Sequence, residues 1–415
     1  MATDEKQSKI RIKNQIDILN ILRQGKATLP VLAENINVSF TSISKIIDEL
    51  VQNKLVKYSK KNKTPIRGRN PIFVELNNDL GVVCCIDYAS DDVRIVLATL
   101  DSTIVAEKII PNIPFITREV LTQTENNLRE LLKDPKVNNR ELLSICIIAP
   151  GLLSLDGNGF IASRSVKAED IIKVNPILHF SNAFNVKVEM HNDVRIACFG
   201  ELKHGVFPKE IFNGIFIHLG ISSGVALIFN GRIYQGSYNY SGETASYSFE
   251  SKDPILIESF WNSRFFPLWE IENKIRELNG QPPLEAKSRV DIDKIAADFE
   301  ANDKATVKAV EESAKRNAIT IIGLATILDV EFIAIEGKIL KLGSRYIDLL
   351  RKYILEFSNN IVRAKIIISN LEESCEILGG CYQAANIYLF DKVESITKIR
   401  TKSPKFELDN IYKEI

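Results

Sequence analysis

The sequence predicts an α/β protein in two parts, a winged helix-turn-helix over residues 1–76 followed by a two-lobed α/β body. Three observations carry this expectation. Two apolar stripes at helical spacing, with a short Pro-started helix between them, come first, then two short strands flanking a cationic loop. From Gly81 onward, long β-branched runs alternate with helical stretches. Charge is divided the same way: residues 1–76 are net +7 and the rest net −7, within a chain whose 53 basic and 53 acidic side chains cancel. A local positive field attracts polyanions even where the whole chain is neutral.

In the head, Ile12, Ile16, Leu19 and Leu22 recur on one helical face, and Gly25 ends that helix. Thr28-Leu29-Pro30 opens a short second helix, with proline in the first turn where a missing N–H costs nothing. Ser39 is an N-cap for a third helix in which Ile43, Ile46, Ile47, Leu50 and Val51 form the inward stripe. Phe40, Thr41, Ser42, Ser44 and Lys45 are then left at its outward N-terminal end. Leu55-Val56 and Phe73 to Leu76 read as strands, and between them Lys57 to Arg69 holds six cations. In such a unit the start of the third helix reaches base edges in the major groove, so Ser39, Thr41, Ser42, Ser44 and Lys45 are the expected DNA-reading residues. Lys60, Lys61, Lys63, Arg67 and Arg69 in the wing are the expected phosphate anchors. A three-helix protein-interaction module with a solvated basic turn is the competing reading.

In the body, Val82 to Asp87, Val93 to Ala98 and Thr103 to Ala106 read as a β-meander, followed by a helix over about 117–132 and a strand over 143–148. The outline repeats: Ile211 to Leu219, Gly224 to Phe229 and Arg232 to Tyr234 form a second meander, and Phe332 to Ile335 a later strand. Two such units in tandem outline the actin-like, sugar-kinase type of fold with a ligand cleft between lobes. The expected division is 1–76 for the head, 77–193 for a small lobe closed by about 380–415, and 194–379 for a large lobe. A composition of 45% hydrophobic and 26% charged residues excludes a disordered or fibrous chain. Six cysteines without a Cys-x-x-Cys pair read as reduced, buried thiols, and no apolar run approaches a membrane span. The expectation is a cytoplasmic protein.

The order of short motifs resembles the ROK family, which groups bacterial repressors, open reading frames and sugar kinases. The resemblance runs from Ile10 to about Phe390. Ser39 to Lys45 looks like the recognition-helix start of its repressors, and Gly68-Arg69-Asn70-Pro71 like their wing signature. Ala149-Pro150-Gly151 resembles the family's Pro-Gly turn, His191-Asn192-Asp193-Val194 its Asn-Asp motif, and Gly231 to Glu243 the stretch entering Gly-Glu-x-Gly-His. Leu378-Gly379-Gly380-Cys381 resembles the small-residue start of the closing helix. The resemblance implies an effector site at Gly151, Asn192, Asp193 and Glu243, for a sugar or sugar derivative. Asn192 and Asp193 also read as a strand-end Asx turn.

Against the family's kinases, three phosphate-binding loops depart from pattern. The Asp-x-Gly-Gly-Thr turn reads Asp87-Tyr88-Ala89-Ser90-Asp91, the second loop reads Gly220 to Ala226 with two of four glycines, and the third reads Glu336-Gly337-Lys338. Glycine is needed where backbone approaches phosphate. The zinc motif departs too: Gly242 to Ser246 has serine where the ligand histidine stands, and no cysteine occurs between Cys198 and Cys375. His179, His191, His204 and His218 are scattered and read as surface or packing histidines. The resemblance therefore implies a DNA-binding regulator with no catalytic residue, no cofactor and no metal. Double-stranded DNA and a homo-oligomeric copy, dimer or tetramer, are its implied partners. A ROK-type sugar kinase with a regulatory head is the alternative.

Overall fold

A computed structural model describes residues 2–59, 72–90, 92–113, 115–154, 157, 159–163, 165–208, 211–243, 265–284, 289–371 and 374–397. The chain divides into one compact unit of residues 1–193 with 377–415 and a second of residues 194–376.

The first unit begins with the head. Helix α1 (Ala2–Arg23) is followed by β1 (Ala27–Thr28), α2 (Leu29–Asn35), α3 (Phe40–Gln52), β2 (Val56–Tyr58) and β3 (Phe73–Leu76). Ser39 caps α3 by accepting the Ser42 N–H at 3.2 Å, and Ile43, Ile46, Ile47 and Leu50 are buried at the expected spacing. The short β1 went unread in the sequence because two residues carry no periodicity. It pairs antiparallel with β3, which makes the wing strands part of a three-stranded sheet ordered β1-β3-β2.

The rest of the unit contains β4 (Val82–Asp87), β5 (Val93–Ala98), β6 (Ile104–Ile110), α4 (Arg118–Leu131), β7 (Leu142–Ala149), a small hairpin of β8 (Leu152–Leu153) and β9 (Phe160–Ala162), α5 (Pro176–Phe184) and β10 (Lys187–Asn192). Its sheet runs β10-β7-β4-β5-β6, antiparallel through the meander and parallel from β4 to β7 to β10. Residues in β4 and β7 are buried on both faces, which explains why they read as continuous apolar runs rather than alternating ones.

The second unit continues α6 (Asp193–His204), whose first residue closes the first unit. It holds β11 (Gly214–Leu219), β12 (Ser223–Phe229), β13 (Arg232–Tyr234), α7 (Leu268–Leu278), α8 (Ile292–Glu300), α9 (Lys304–Leu328), β14 (Phe332–Glu336), α10 (Gly343–Phe357) and β15 (Lys365–Ile368). The sheet order β13-β12-β11-β14-β15 repeats the plan of three antiparallel strands extended by parallel ones. Helices α7 to α10 cover one face with a core that includes Ile271, Phe299, Ile321 and Leu350.

The final helix α11 (Cys375–Thr397) starts in the second unit and runs back through the first. A Cβ at Gly380 would collide with the Cys85 thiol and lie 3.0 Å from Ile148, so glycine is what lets α11 cross β4 and β7 there. All six cysteines are buried and free. Among the described residues no helix is long and apolar enough to cross a membrane.

Candidate functional site

Two regions gather the residues singled out by sequence. In the head, Ser39, Phe40, Thr41, Ser42 and Lys45 are exposed around the first turn of α3, while Ser44 is half-buried. The Ser39 and Ser42 hydroxyls lie 2.9 Å apart, so the cap also orders a second hydroxyl at the tip of the helix. The remaining N–H groups of that first turn face the same way and suit an anion. Lys60, Lys61, Lys63, Arg67 and Arg69 lie outside the described residues.

The second region is the carboxyl edge of the parallel strands in the first unit, where ligands of open α/β sheets are bound. Strands β7 and β10 run in parallel register with Ala149 opposite Asn192. The chain leaves β7 through Pro150 and Gly151, the latter at φ +102°. A Cβ at Gly151 would press on the Ala162 carbonyl and come within 2.8 Å of the Ser163 backbone, so glycine is what allows the turn to lie against β9. The Asn192 side-chain amide donates to the Gly151 carbonyl at 3.1 Å, and Ser163 Oγ donates to the Pro150 carbonyl at 2.7 Å. Gly151, Asn192 and Asp193 are thus brought together.

Asp87 ends β4 beside them and is buried. Burial raises its pKa to about 6 despite a 2.8 Å hydrogen bond from the Ala89 N–H, and the nearby charge of Asp193 pushes the same way. From sequence alone Asp87 reads only as part of an altered phosphate turn; its burial beside Asp193 comes from the sheet order β10-β7-β4, which brings the ends of β4 and β10 to one edge. Asp91 lies outside the described residues.

Glu243 belongs to the second unit, at the end of the segment after β13. That segment is held by a residue the sequence did not single out. Arg195 on α6, 4% exposed, donates from Nη2 to the backbone carbonyls of Asn239 (2.8 Å) and Ser241 (3.1 Å), and from Nη1 to the Asn239 side chain. A forked guanidinium suits this because it meets several oxygens in one plane. Beyond Glu243, residues 244–250 lie outside the described residues, and with them Ser246 of the altered zinc motif.

The other two loops of interest meet in the second unit. Gly220 caps the β11–β12 hairpin through a 2.8 Å hydrogen bond from its N–H to the Ser222 carbonyl. Gly337, at φ +111°, packs against the Leu219 carbonyl so closely that a Cβ would collide. Glu336 is 1% exposed and its Oε2 sits 2.6 Å from His218 Nδ1. Glu376 lies close enough that ligand atoms of His218, Glu336 and Glu376 fall within 4.8 Å of one another. Three of the four histidines face acidic partners: His218 with Glu336, His179 with Glu125 at 3.0 Å, and His191 with Glu189 at 3.1 Å. The 118 residues between His218 and Glu336, and the separation of His179 from Glu125, hid those two pairs from a reading of local spacing, whereas Glu189 stands only two residues before His191.

Comparison with known proteins bears on this arrangement. Residues 83–250 match the model of the ROK family. A protein named xylose repressor from Caldicellulosiruptor bescii is 21% identical over 365 residues, covering 84% of this chain and 89% of that protein. A crystal structure described as a ROK family transcriptional regulator, homolog of the Escherichia coli MLC protein, superposes with a TM-score of 0.74 at 18% identity, covering 94% of this chain and all of that one. The ROK hexokinase from Thermus thermophilus superposes at 0.58 with 14% identity, covering 75% of this chain and 99% of its own. Residues 83–250 are thus similar to the ROK family domain, and the chain shares the α/β fold of the ROK family regulator on which it superposes.

Proposed function

We propose that the chain is a sequence-specific DNA-binding transcriptional regulator, a repressor whose body responds to a sugar or sugar derivative. The observation that carries this reading is the capped, exposed N-terminus of α3 in a head of net charge +7. The relative named xylose repressor aligns over 84% of the chain, whereas the hexokinase fold accounts for 75%. Ser39, Thr41, Ser42, Ser44 and Lys45 read bases or nearby phosphates, and Lys60, Lys61, Lys63, Arg67 and Arg69 anchor the wing. Gly151, Asn192, Asp193 and Glu243 hold the effector. A carboxylate beside an amide suits adjacent hydroxyls of a polyol, with Asp193 acting as acceptor only.

The non-enzymatic reading is supported by electrostatics. Glu336 stands where the resemblance expects the first glycine of a phosphate loop, and its buried carboxylate is spent on His218. A negative group at that position opposes a nucleotide phosphate. Two-fold operators require paired heads, so the working form is a homodimer or tetramer. The exposed Ile319 and Ile327, two turns apart on α9, support assembly through the larger lobe.

The test is a coupled kinase assay with ATP over D-xylose, D-glucose and N-acetylglucosamine, run beside selection of duplexes from a random pool. The expectation is enrichment of a two-fold symmetric sequence without phosphorylation. Sugar-dependent ATP turnover would favour the kinase reading, which the hexokinase likeness keeps in view.

A further inference from the structure

Within the first unit a continuous line of buried and half-buried polar side chains joins the head to the end of β10. Arg23, the last residue of α1, is 8% exposed and is held by the body, not by its own helix. Its Nε donates to the Leu100 carbonyl (3.1 Å) and its Nη2 to the Tyr382 carbonyl (3.2 Å), while the guanidinium lies 3.8 Å from the centre of the Tyr382 ring. Tyr382 returns the contact by donating its hydroxyl to Asn20 Oδ1 at 3.1 Å. The remaining Arg23 donor, Nη1, reaches Asn386 Oδ1 at 2.6 Å.

From there the line continues. Asn386 Nδ2 donates to Gln383 Oε1 at 3.2 Å, and Gln383 Nε2 donates to Glu189 Oε2 at 3.2 Å. His191 Nε2 meets that same oxygen at 3.1 Å. The orientation of both amides follows from the ends. Arginine only donates, so Asn386 must present its oxygen; ionised glutamate only accepts, so Gln383 must present its nitrogen. Two amide dipoles are thereby aligned head-to-tail between a buried cation and a half-buried carboxylate, an arrangement in which each bond strengthens its neighbours. Glu189 loses solvation by burial, yet hydrogen bonds from His191 and Gln383 hold its carboxyl below the ordinary range, which keeps the acceptor end charged. His191 is followed directly by Asn192 and Asp193.

We infer that Arg23, Asn386, Gln383, Glu189 and His191 form a relay that sets the position of the DNA-reading head according to what occupies the Asn192–Asp193 end of β10. The inference rests on the proposed effector site. A shift of β10 by a fraction of an ångström alters the Glu189–Gln383 contact, and these side chains pass that change on to Asn386 and Arg23. In this scheme Gln383 and Asn386 are positioning residues, touching neither sugar nor DNA. Contiguity alone does not establish coupling, so the experiment measures coupling itself.

The full chain is tested as wild type, Gln383→Met, Asn386→Leu and Arg23→Lys, with a duplex selected by the wild-type protein and with D-xylose and D-glucose as probes. Operator affinity with and without sugar is read by anisotropy, and sugar affinity by calorimetry. For wild type, sugar is expected to weaken operator binding by about 5- to 150-fold, the usual span of allosteric coupling. Gln383→Met and Asn386→Leu should bring that ratio towards 1 while each still binds the sugar, and Arg23→Lys, which keeps one donor for Asn386, should keep part of it. An unchanged ratio in both amide variants overturns the relay.

A sugar-free arm separates this from the effector reading. Arg23→Gln and Glu189→Gln are combined in a double-mutant cycle on operator affinity. The two residues are not in contact, so independent sites would be additive; the relay predicts departure by about 2-fold or more. If neither sugar changes wild-type operator affinity, the effector reading fails, and the cycle decides the relay alone: additivity overturns it. Should Gln383→Met fail to fold, the cycle and Asn386→Leu still distinguish a coupled line from an inert one.

Discussion

Replacing Asp87 with asparagine should stabilise the protein, and by an amount that depends on pH. The carboxyl is buried at the end of β4 and its pKa is raised from 3.8 to about 6. A raised acid binds its proton more tightly folded than unfolded, so the wild type loses stability as pH rises from about 3.8 to 6 and recovers none above that. At 1.36 kcal/mol per pKa unit, the shift is worth about 3 kcal/mol at pH 7.5 and about 1.6 kcal/mol at pH 5. Asparagine keeps an oxygen for the 2.8 Å hydrogen bond from the Ala89 N–H and removes the repulsion with Asp193. The Asp87→Asn variant should therefore exceed wild type at both pH values, with the gap widening by about 1.4 kcal/mol between them. A global unfolding signal does not isolate β4. Amide exchange of Val82–Asp87 does, and gives the opening free energy of β4 directly. A gap that is flat with pH, or a less stable variant, would refute the argument that desolvation dominates at Asp87.

Three further outcomes are expected. Arg195→Met should weaken sugar binding by about 10- to 100-fold in calorimetry, since each charge-assisted hydrogen bond to the Asn239–Ser241 backbone contributes roughly 1.5–3 kcal/mol and Glu243 follows that segment. Ser39→Ala should cost about 1 kcal/mol in thermal unfolding of the head through the lost cap on Ser42. Lys61→Ala with Lys63→Ala should weaken binding to all duplexes alike and reduce the salt slope by about 0.9 per phosphate contact, whereas Lys45→Ala should cost about 1–3 kcal/mol mainly on the selected duplex; the reverse pattern in binding assays would exchange the roles of wing and helix.

The three helices of the head were legible in the sequence, because what defines them is local. The buried positions of α3 repeat within one helix, and its cap is three residues from the N–H it accepts. The strands of the body were legible for a related reason: a strand buried on both faces reads as an unbroken apolar run, as in β4 and β7. Gly151, Asn192 and Asp193 were recognisable as motifs, but their meeting was not, since Asn192 and Gly151 are 41 residues apart and are joined only by the parallel register of β7 and β10. Arg195 carried no signal, being one charged residue in an ordinary helical stretch.

The order of elements, the division of charge between head and body, and the exposed end of α3 follow from the amino-acid sequence alone, because periodicity and capping act within a few residues. Which polar groups are buried together is settled only by the folded chain. Glu189 reaches Gln383 across 194 residues and Arg23 reaches Asn386 across 363. No local pattern encodes such a pair. A buried charge must find a partner or cost several kcal/mol, and the partner is chosen by which strand and helix the packing of the core lays beside it.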